Sequence, residues 1–135
     1  MQVTKGIRLN NPGNIERGEK WLGLSADQPD ARFCKFDAPE YGIRAICKII
    51  RNYGKKYGIN TVQGIINRWA PPSENPTGAY VQNVAKWAGV PADAPLDLSA
   101  PDVLAGLAKG ITRQENGVQP YPDQVVEAGV KMALA

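Results

Sequence analysis

Glu115 is the residue whose place in the sequence best suits it for chemistry. It lies eleven positions after Leu104, which at about 100° per residue puts both side chains on the apolar face of one predicted helix. The stop signal Asn116-Gly117 follows immediately, so the carboxyl group also lies at the negative end of the helix dipole. Partial burial and the dipole both favour the protonated carboxyl group. Such an acid can protonate the leaving oxygen when a glycosidic bond breaks.

The composition limits the other chemistry that is open to the chain. The chain has no histidine, which excludes Ser-His-Asp and Cys-His nucleophile systems and the commonest zinc ligand. The two cysteines, Cys34 and Cys47, are too few for a disulfide framework or a metal cluster, and we interpret them as small buried apolar residues. No Gly-rich phosphate loop occurs. We therefore expect chemistry without a metal or a cofactor, carried by Asp, Glu, Lys or Tyr.

Other carboxylates compete with Glu115 for the role of acid. Glu16 directly follows a turn, on a loop, and is the second candidate. Glu74 lies in a polar, proline-flanked loop and is either a substrate contact or a helix-capping charge. Asp37 and Glu40 are better explained as helix caps, because they precede an apolar run with helical spacing. The residue types alone leave Glu115 and Glu16 open as the acid.

Helices are expected to build most of the chain and to position these side chains. Apolar residues recur at helical spacing in five segments, each preceded by turn or capping residues. The predicted helices begin at Asp37-Ala38-Pro39-Glu40, at Asn60-Thr61, near Pro76 or Thr77, at Ser99-Ala100-Pro101-Asp102, and at Pro122-Asp123. The helix that ends at Glu115 should pack against the first and third of these, because their apolar stripes match. Trp69 and Trp87 fall on such stripes and are expected in the core.

The segment before the first long helix has a different character. Asn10-Asn11-Pro12-Gly13-Asn14 is dense in turn formers, and residues 21–24 and 32–36 read as two short strands of a β-hairpin around the loop 25–31. A length of 135 residues suits one domain, which we take to span 1–135. The predicted fold class is α+β, mainly helical, with a small β-hairpin near the N-terminus.

Charge and hydropathy bear on the setting. Lys and Arg number 16 against 13 Asp and Glu, and this net charge of +3 is compatible with an anionic cell wall. The basic residues are scattered except around 51–56, which reads as a solvated face, so a nucleic-acid binder is disfavoured. No apolar run is long enough to span a membrane, and the first residues do not form a secretory signal. We expect a monomer made in a cytoplasm without a signal peptide.

Several motifs occur along the chain in a fixed order. They are Asn10-Asn11-Pro12-Gly13-Asn14-Ile15, Trp21-Leu22-Gly23, Phe33, Phe36 to Ala45, Trp69 to Asn75, and Thr77-Gly78-Ala79-Tyr80-Val81. This order resembles that of cell-wall glucosaminidases and lytic transglycosylases, in which an NN-P-G-N-like turn leads to W-x-G, a strand, and F-x-S-x-x-x-G-I-x-A at the next helix. The resemblance is closest to phage virion proteins with lysozyme-like domains and covers about residues 7–117.

This resemblance implies a lysozyme-like fold and cleavage of the β-1,4 bond between N-acetylmuramic acid and N-acetylglucosamine in peptidoglycan, with Glu115 as the acid. It gives Tyr80 the place of a cleft tyrosine that orients the acid or the N-acetyl group, although core packing explains Tyr80 equally well. Trp21 could stack on a sugar face. Asn11 and Asn14 could bond the N-acetyl amide or only build their own turn. We expect Asn11, Asn14, Trp21 and Tyr80 to bind substrate.

The chain departs from this family pattern at its beginning. In the glucosaminidase-like enzymes a helix that ends in the catalytic Glu precedes the turn, but here only nine residues precede Asn10. The predicted helix ending at Glu115 resembles the missing piece. We therefore expect a circular permutation that has moved the Glu-bearing helix from front to back, since chain termini often lie close together.

Two alternatives concern the reaction and the role. A lytic transglycosylase needs one acid, because the acetamido and 6-hydroxyl groups of the substrate can complete the reaction, whereas a hydrolase usually uses two carboxylates. The expected setting is a phage or prophage protein that acts on the cell wall, as a virion component or as a lysis enzyme, with glycan strands and other virion proteins as partners. The alternative is a non-catalytic virion structural protein that binds glycan or other virion proteins.

Overall fold

The computed structural model describes residues 3–135, and within them it is mainly helical. Six helices occur in this part of the chain, and no run of residues forms a continuous strand. In chain order they are α1 (Lys5–Arg8), α2 (Pro39–Tyr57), α3 (Val62–Trp69), α4 (Thr77–Ala88), α5 (Pro101–Asn116) and α6 (Asp123–Leu134). The five predicted helices are therefore confirmed, and α1 was not predicted. No helix of the described residues has the length and apolarity needed to cross a bilayer.

The predicted capping boxes do not form at the starts of α2 and α5. Ala38 and Ala100 occupy the N-cap positions of α2 and α5, and neither supplies a side-chain hydrogen bond. Asp37, predicted as a cap, instead accepts a 2.8 Å hydrogen bond from the Ser25 hydroxyl. Among residues 3–135, Thr61 at the start of α3 is the one N-cap whose side chain forms a capping hydrogen bond, and it accepts from the Gly64 amide at 3.0 Å. In α2 and α5 a proline in the first turn replaces the cap, because its missing N–H needs no partner there.

The predicted hairpin is wrong. The two segments share a single isolated antiparallel bridge, Leu24 with Phe36, and a second isolated bridge pairs Phe33 with Glu16, which lies outside both segments. The reason is that side chains occupy backbone groups that a strand ladder would use. The Gln28 amide bonds both the carbonyl oxygen and the N–H of Lys35, at 2.8 and 2.9 Å. This irregular segment nevertheless closes one side of the molecule above α2.

The core joins α5 to the rest of the helices. Leu104 and Ile111, on the inner face of α5, are both 0% exposed. α5 packs mainly against α4 and α6 and touches α2, while α6 covers another side of α2. The predicted packing of the Glu115 helix against α4 is therefore confirmed, whereas its contact with α2 is small and α6 is its second main partner. Trp69 is partly buried against the core. Trp87, also expected in the core, is only partly buried and lies outside the core cluster, with the Arg113 guanidinium 4.3 Å from its ring centre.

The N-terminal turn packs tightly on the start of α2. A β-carbon on Gly42 would collide with the carbonyl oxygen of Asn10, and the same addition on Gly23 would run into the ring of Tyr41. Both glycines belong to the motifs that suggested the resemblance. Their absent side chains allow the turn and the irregular segment to approach α2 closely. This approach brings residues 10–16 to the edge of the helical core.

Candidate active site

Glu115 lies in the last turn of α5, at the edge of a cleft, and is half-buried. Its two carboxyl oxygens have different partners. The side-chain amide of Asn14 donates to Oε1 at 2.9 Å, and the Tyr80 hydroxyl donates to Oε2 at 2.8 Å. The structure thus brings together three of the five residues predicted for the site, from the N-terminal turn, α4 and α5. Two donors on one carboxyl group fix its orientation.

Tyr80 reaches Glu115 from inside the protein. Its side chain is 3% exposed and belongs to the hydrophobic core, so packing and hydrogen bonding fix its position together. Burial raises the pKa of the Tyr80 phenol far above its ordinary value, and the negative charge of Glu115 and the hydrogen bond to it raise the pKa further. The phenol therefore keeps its proton at any physiological pH. It acts as a donor to Glu115 and not as a second acid or base.

Asn14 closes the N-terminal turn in the left-handed region, with φ near 51°. Asparagine adopts this conformation more readily than most residues, and its own N–H bonds the Asn11 carbonyl at 3.1 Å. The backbone therefore sets the direction of the amide toward α5. This placement explains in physical terms why a turn rich in asparagine is found beside a carboxyl group.

Asn11 does not fit its predicted role in substrate binding. It is 0% exposed, and its side chain is used entirely by the turn. The amide nitrogen donates to the carbonyl oxygens of Ile15 and Cys34, both at 2.9 Å, and the oxygen accepts from the Ile15 N–H at 2.9 Å. Burial leaves no surface for a sugar to touch. The residue supports the turn that presents Asn14.

Asn116 is a structural residue of the site that the sequence analysis treated only as a helix stop. Its side chain is buried and links three segments. The amide donates to the carbonyl oxygens of Pro12 and Thr112, both at 2.9 Å, and the amide oxygen accepts from the Thr4 hydroxyl at 2.6 Å. Its position directly after the candidate acid was the available signal. Asn116 fixes the end of α5 against the turn.

The cleft beside Glu115 has a volume of about 320 Å³ and is lined by both polar and aromatic groups. We call it the acid cleft; its lining includes Asn14, Glu16, Arg32, Trp69, Glu74 and Glu115. The three glutamates weighed in the sequence therefore meet in one cavity. No group of three or more His, Cys, Asp or Glu side chains within residues 3–135 is arranged to hold a metal ion.

Glu16 and Glu74 differ from Glu115 in their surroundings. Arg32 binds one oxygen of Glu16 through two nitrogens, at 2.7 and 2.9 Å, and both side chains are more than half exposed. The guanidinium therefore occupies one oxygen of the Glu16 carboxylate. Glu74 is exposed on the turn before α4. Among the three, Glu115 alone is held by two uncharged donors at the boundary between the core and the cleft.

Trp21 lies outside the acid cleft. It lines a second cavity of about 680 Å³, together with Lys48, Tyr57 and Arg68. The two cavities adjoin along one groove, since both are lined by Ile15, Glu16, Ile49 and Tyr53. Trp21 therefore lies along the same groove as Glu115. No hydrogen bond within residues 3–135 joins Trp21 to Asn14 or Tyr80. The groove can accept an extended, chain-like ligand.

Comparison with known proteins gives the family. No protein-family model matches the chain. The chain is 37% identical over 133 residues to Protein P5 of Pseudoalteromonas phage PM2, an alignment that covers 95% of this chain and 81% of the relative. The chain belongs to the Protein P5 family.

Proposed function

We propose that the chain is a muralytic enzyme that cleaves the β-1,4 bond between N-acetylmuramic acid and N-acetylglucosamine, with Glu115 as the general acid. The observation that carries the proposal is the pair of hydrogen bonds from Asn14 and Tyr80 to the two oxygens of Glu115, at 2.9 and 2.8 Å. They hold one carboxyl group at the wall of a groove that suits a glycan strand. Asn14 and Trp21 are the proposed sugar contacts, and Tyr80 orients the acid.

The geometry supports the following first step. The Glu115 carboxyl group gives its proton to the oxygen that links the two sugars, and the bond from this oxygen to C1 breaks. Negative charge then develops on Glu115, where Asn14 and Tyr80 already donate. Their hydrogen bonds strengthen as the charge grows, so they stabilise the transition state more than the ground state. The acetamido oxygen of the substrate supports the positive charge at C1.

The second step distinguishes a lytic transglycosylase from a hydrolase. In the transglycosylase reaction the 6-hydroxyl oxygen bonds to C1, and the ionised Glu115 takes the hydroxyl proton, which restores the acid and forms an anhydro sugar. A hydrolase instead needs a second carboxylate that activates water or attacks C1. Glu16 is engaged by Arg32 and Glu74 is exposed on a turn. We therefore favour the anhydro product.

The proposed setting is a phage or prophage protein that opens the cell wall, as a virion component or as a lysis enzyme. The kinship with a protein of phage PM2 supports the phage part of this proposal. The proposed fold is lysozyme-like and circularly permuted, with α5 in the place of the Glu-bearing first helix. The contact between Glu115 and Asn14 supports this permutation, because it puts the late helix beside the early turn.

A second candidate function is a non-catalytic virion protein that binds glycan or other virion proteins. The comparison favours it, because the name of the relative gives a phage source and no activity. In this case the acid cleft would bind glycan without cleaving it. The muralytic enzyme would release soluble fragments from peptidoglycan, whereas the non-catalytic protein would release none.

The deciding experiment is digestion of purified peptidoglycan sacculi by the purified chain, followed by mass spectrometry of the soluble fragments. We expect muropeptides that end in anhydro-muramic acid, which are one water lighter than hydrolysis products. Reducing muramic acid ends alone would establish a hydrolase. Sacculi that bind the chain and release no fragments would support the structural protein and reject the enzyme.

A further inference from the structure

The second cavity of the groove carries more positive than negative charge. We call it the basic pocket; its polar and aromatic lining includes Arg17, Trp21, Lys48, Tyr57 and Arg68. Its acidic lining residues are Glu16 and Glu19. Arg32 already pairs with Glu16, so Glu19 is the carboxylate that is left to balance the three cations of the lining, which are Arg17, Lys48 and Arg68. None of the three cations forms an ion pair within residues 3–135.

Aromatic rings fix the position of one of these cations. The Arg68 guanidinium lies 3.9 Å from the ring centre of Tyr57 and 5.5 Å from that of Tyr53. Stacking uses the flat face of a guanidinium and leaves the N–H groups on its edge free. Such an edge matches the two oxygens of a carboxylate. The arrangement therefore prepares Arg68 for a planar anion.

Lys48 faces the same cavity from α2, in surroundings poor in anions. The charges that act on Lys48 are those of the cations Arg44, Arg51 and Lys55 on the same helix. Burial, and then these three positive charges, lower the pKa of Lys48 below its ordinary value. Arg17 completes the set and donates a 3.1 Å hydrogen bond to the Asp30 carbonyl. A bound anion would relieve the repulsion among these cations.

The acid cleft and the basic pocket form one groove, with Ile15, Glu16, Ile49 and Tyr53 in the shared lining. An acetylated glycan backbone is uncharged, and the negative charge of a peptidoglycan strand lies on the carboxylates of its peptide stems. We propose that the basic pocket binds the carboxylates of a peptide stem next to the bond cleaved at Glu115. This inference rests on the proposed function and makes the stem peptide a determinant of specificity.

The test measures binding separately from cleavage. The Glu115→Gln chain is titrated with three soluble glycan strands: strands with intact stems, strands stripped of stems by an amidase, and strands whose stem carboxylates are converted to amides. We expect at least about tenfold tighter binding of the intact strands, since charge-assisted hydrogen bonds are worth about 1.5–3 kcal/mol and 1.4 kcal/mol is tenfold. Amidated strands keep the stem and lose its charge, and stripped strands keep only the lactyl carboxylate that the amidase uncovers on muramic acid. Both therefore lack the stem carboxylates that the pocket binds and should bind more weakly than intact strands.

Two variants locate the effect. In the Glu115→Gln background, Lys48→Gln and Arg68→Gln should each lower the affinity for intact strands toward that for stripped strands. Lys86→Gln, an exposed residue that lines neither cavity, is the matched control and should change nothing. Equal affinity for all three strands, or an equal loss in the control, overturns the inference. Stem-dependent binding by a wild-type chain that cleaves no strand would instead reject the enzyme and keep the pocket.

Discussion

The side-chain amide of Asn116 donates a 2.9 Å hydrogen bond to the carbonyl oxygen of Pro12, which lies 104 residues earlier in the chain. The same side chain also accepts from the Thr4 hydroxyl. One buried residue therefore connects the end of α5 with α1 and with the turn. Because Glu115 precedes Asn116 directly, this connection fixes Glu115 relative to Asn14.

We expect Asn116→Ala to destabilise the fold and to weaken any activity. The substitution leaves the Pro12 carbonyl and the Thr4 hydroxyl without their partner, and an unpaired buried polar group costs about 1–3 kcal/mol. Denaturant unfolding measures this loss. Asn67→Ala is the matched control, because Asn67 also bonds the carbonyl four residues earlier but is exposed. An equal and small effect of both variants would show that Asn116 does not hold the site together.

Glu115→Gln should abolish cleavage of peptidoglycan while the protein stays folded. Glutamine is nearly isosteric and keeps an oxygen for one donor, but it cannot release a proton as an acid does. The rate should fall by about 10²–10⁴, the contribution of a positioned general acid. Turbidity loss of purified sacculi gives the rate, and a thermal melt checks the fold.

Glu16→Gln is the control for this experiment and should lose far less activity, because Glu16 is exposed and paired with Arg32. A large loss in Glu16→Gln with little loss in Glu115→Gln would assign the acid to the other carboxylate. The argument for a permuted, Glu-bearing helix would then fail with it.

Tyr80→Phe should lower kcat and leave KM nearly unchanged. The variant keeps the buried ring and removes the donor to Glu115, and a missing donor to a developing charge costs about 10²-fold in other enzymes. Tyr121→Phe is a matched control, since the Tyr121 hydroxyl is buried with no hydrogen-bond partner among residues 3–135. That control should keep full activity. A purely structural role for Tyr80 would instead appear as lost stability at constant kcat.

Asp30 should make folding sensitive to acid. The Phe33 N–H, the Lys5 side chain and the Arg32 N–H lower the pKa of Asp30 from 3.8 to about 2. Because the folded pKa is the lower one, the stabilisation is complete above pH 3.8 and is lost as the pH falls through about 2. Asp30→Asn should therefore be less stable than the wild type at neutral pH, and the difference should shrink at about pH 2.

Denaturant unfolding at both pH values tests this prediction. Asp27→Asn, in the same irregular segment but without a hydrogen bond to its carboxylate in the described residues, should show no such change between the two pH values. A constant difference between wild type and Asp30→Asn across the range would mean that the charge of Asp30 is unimportant.

The helices were accessible from the sequence because their apolar residues repeat at a period that matches helical geometry. The apolar stripe that contains Leu104 and Ile111 predicted both the helix and the burial of one of its faces. The hairpin was wrong because local alternation carries no information about Gln28, whose amide takes the backbone groups of Lys35. Side-chain competition of this kind depends on the folded surroundings.

The site was predictable to the extent that it depends on one helix face. The azimuth of Glu115 followed from its spacing to Leu104, but its partners come from 101 and 35 residues away. Only the family resemblance pointed to Asn14 and Tyr80. It also pointed to Asn11, whose buried side chain forms hydrogen bonds with the backbone of Ile15 and Cys34. The cations of the basic pocket are scattered along the sequence and meet only through folding.

The separation of Asn14 and Glu115 also decides when the site can first exist during synthesis. A ribosome releases the turn first and the acid 101 residues later, after α4 has supplied Tyr80. Since chains begin to fold from the N-terminal side as they emerge, both donors are made before the group they hold. A chain that is terminated before α5 contains the asparagine and the tyrosine without the carboxylic acid. Translation that stops before α5 therefore yields fragments that lack the proposed acid and, under the proposed function, cannot cleave peptidoglycan.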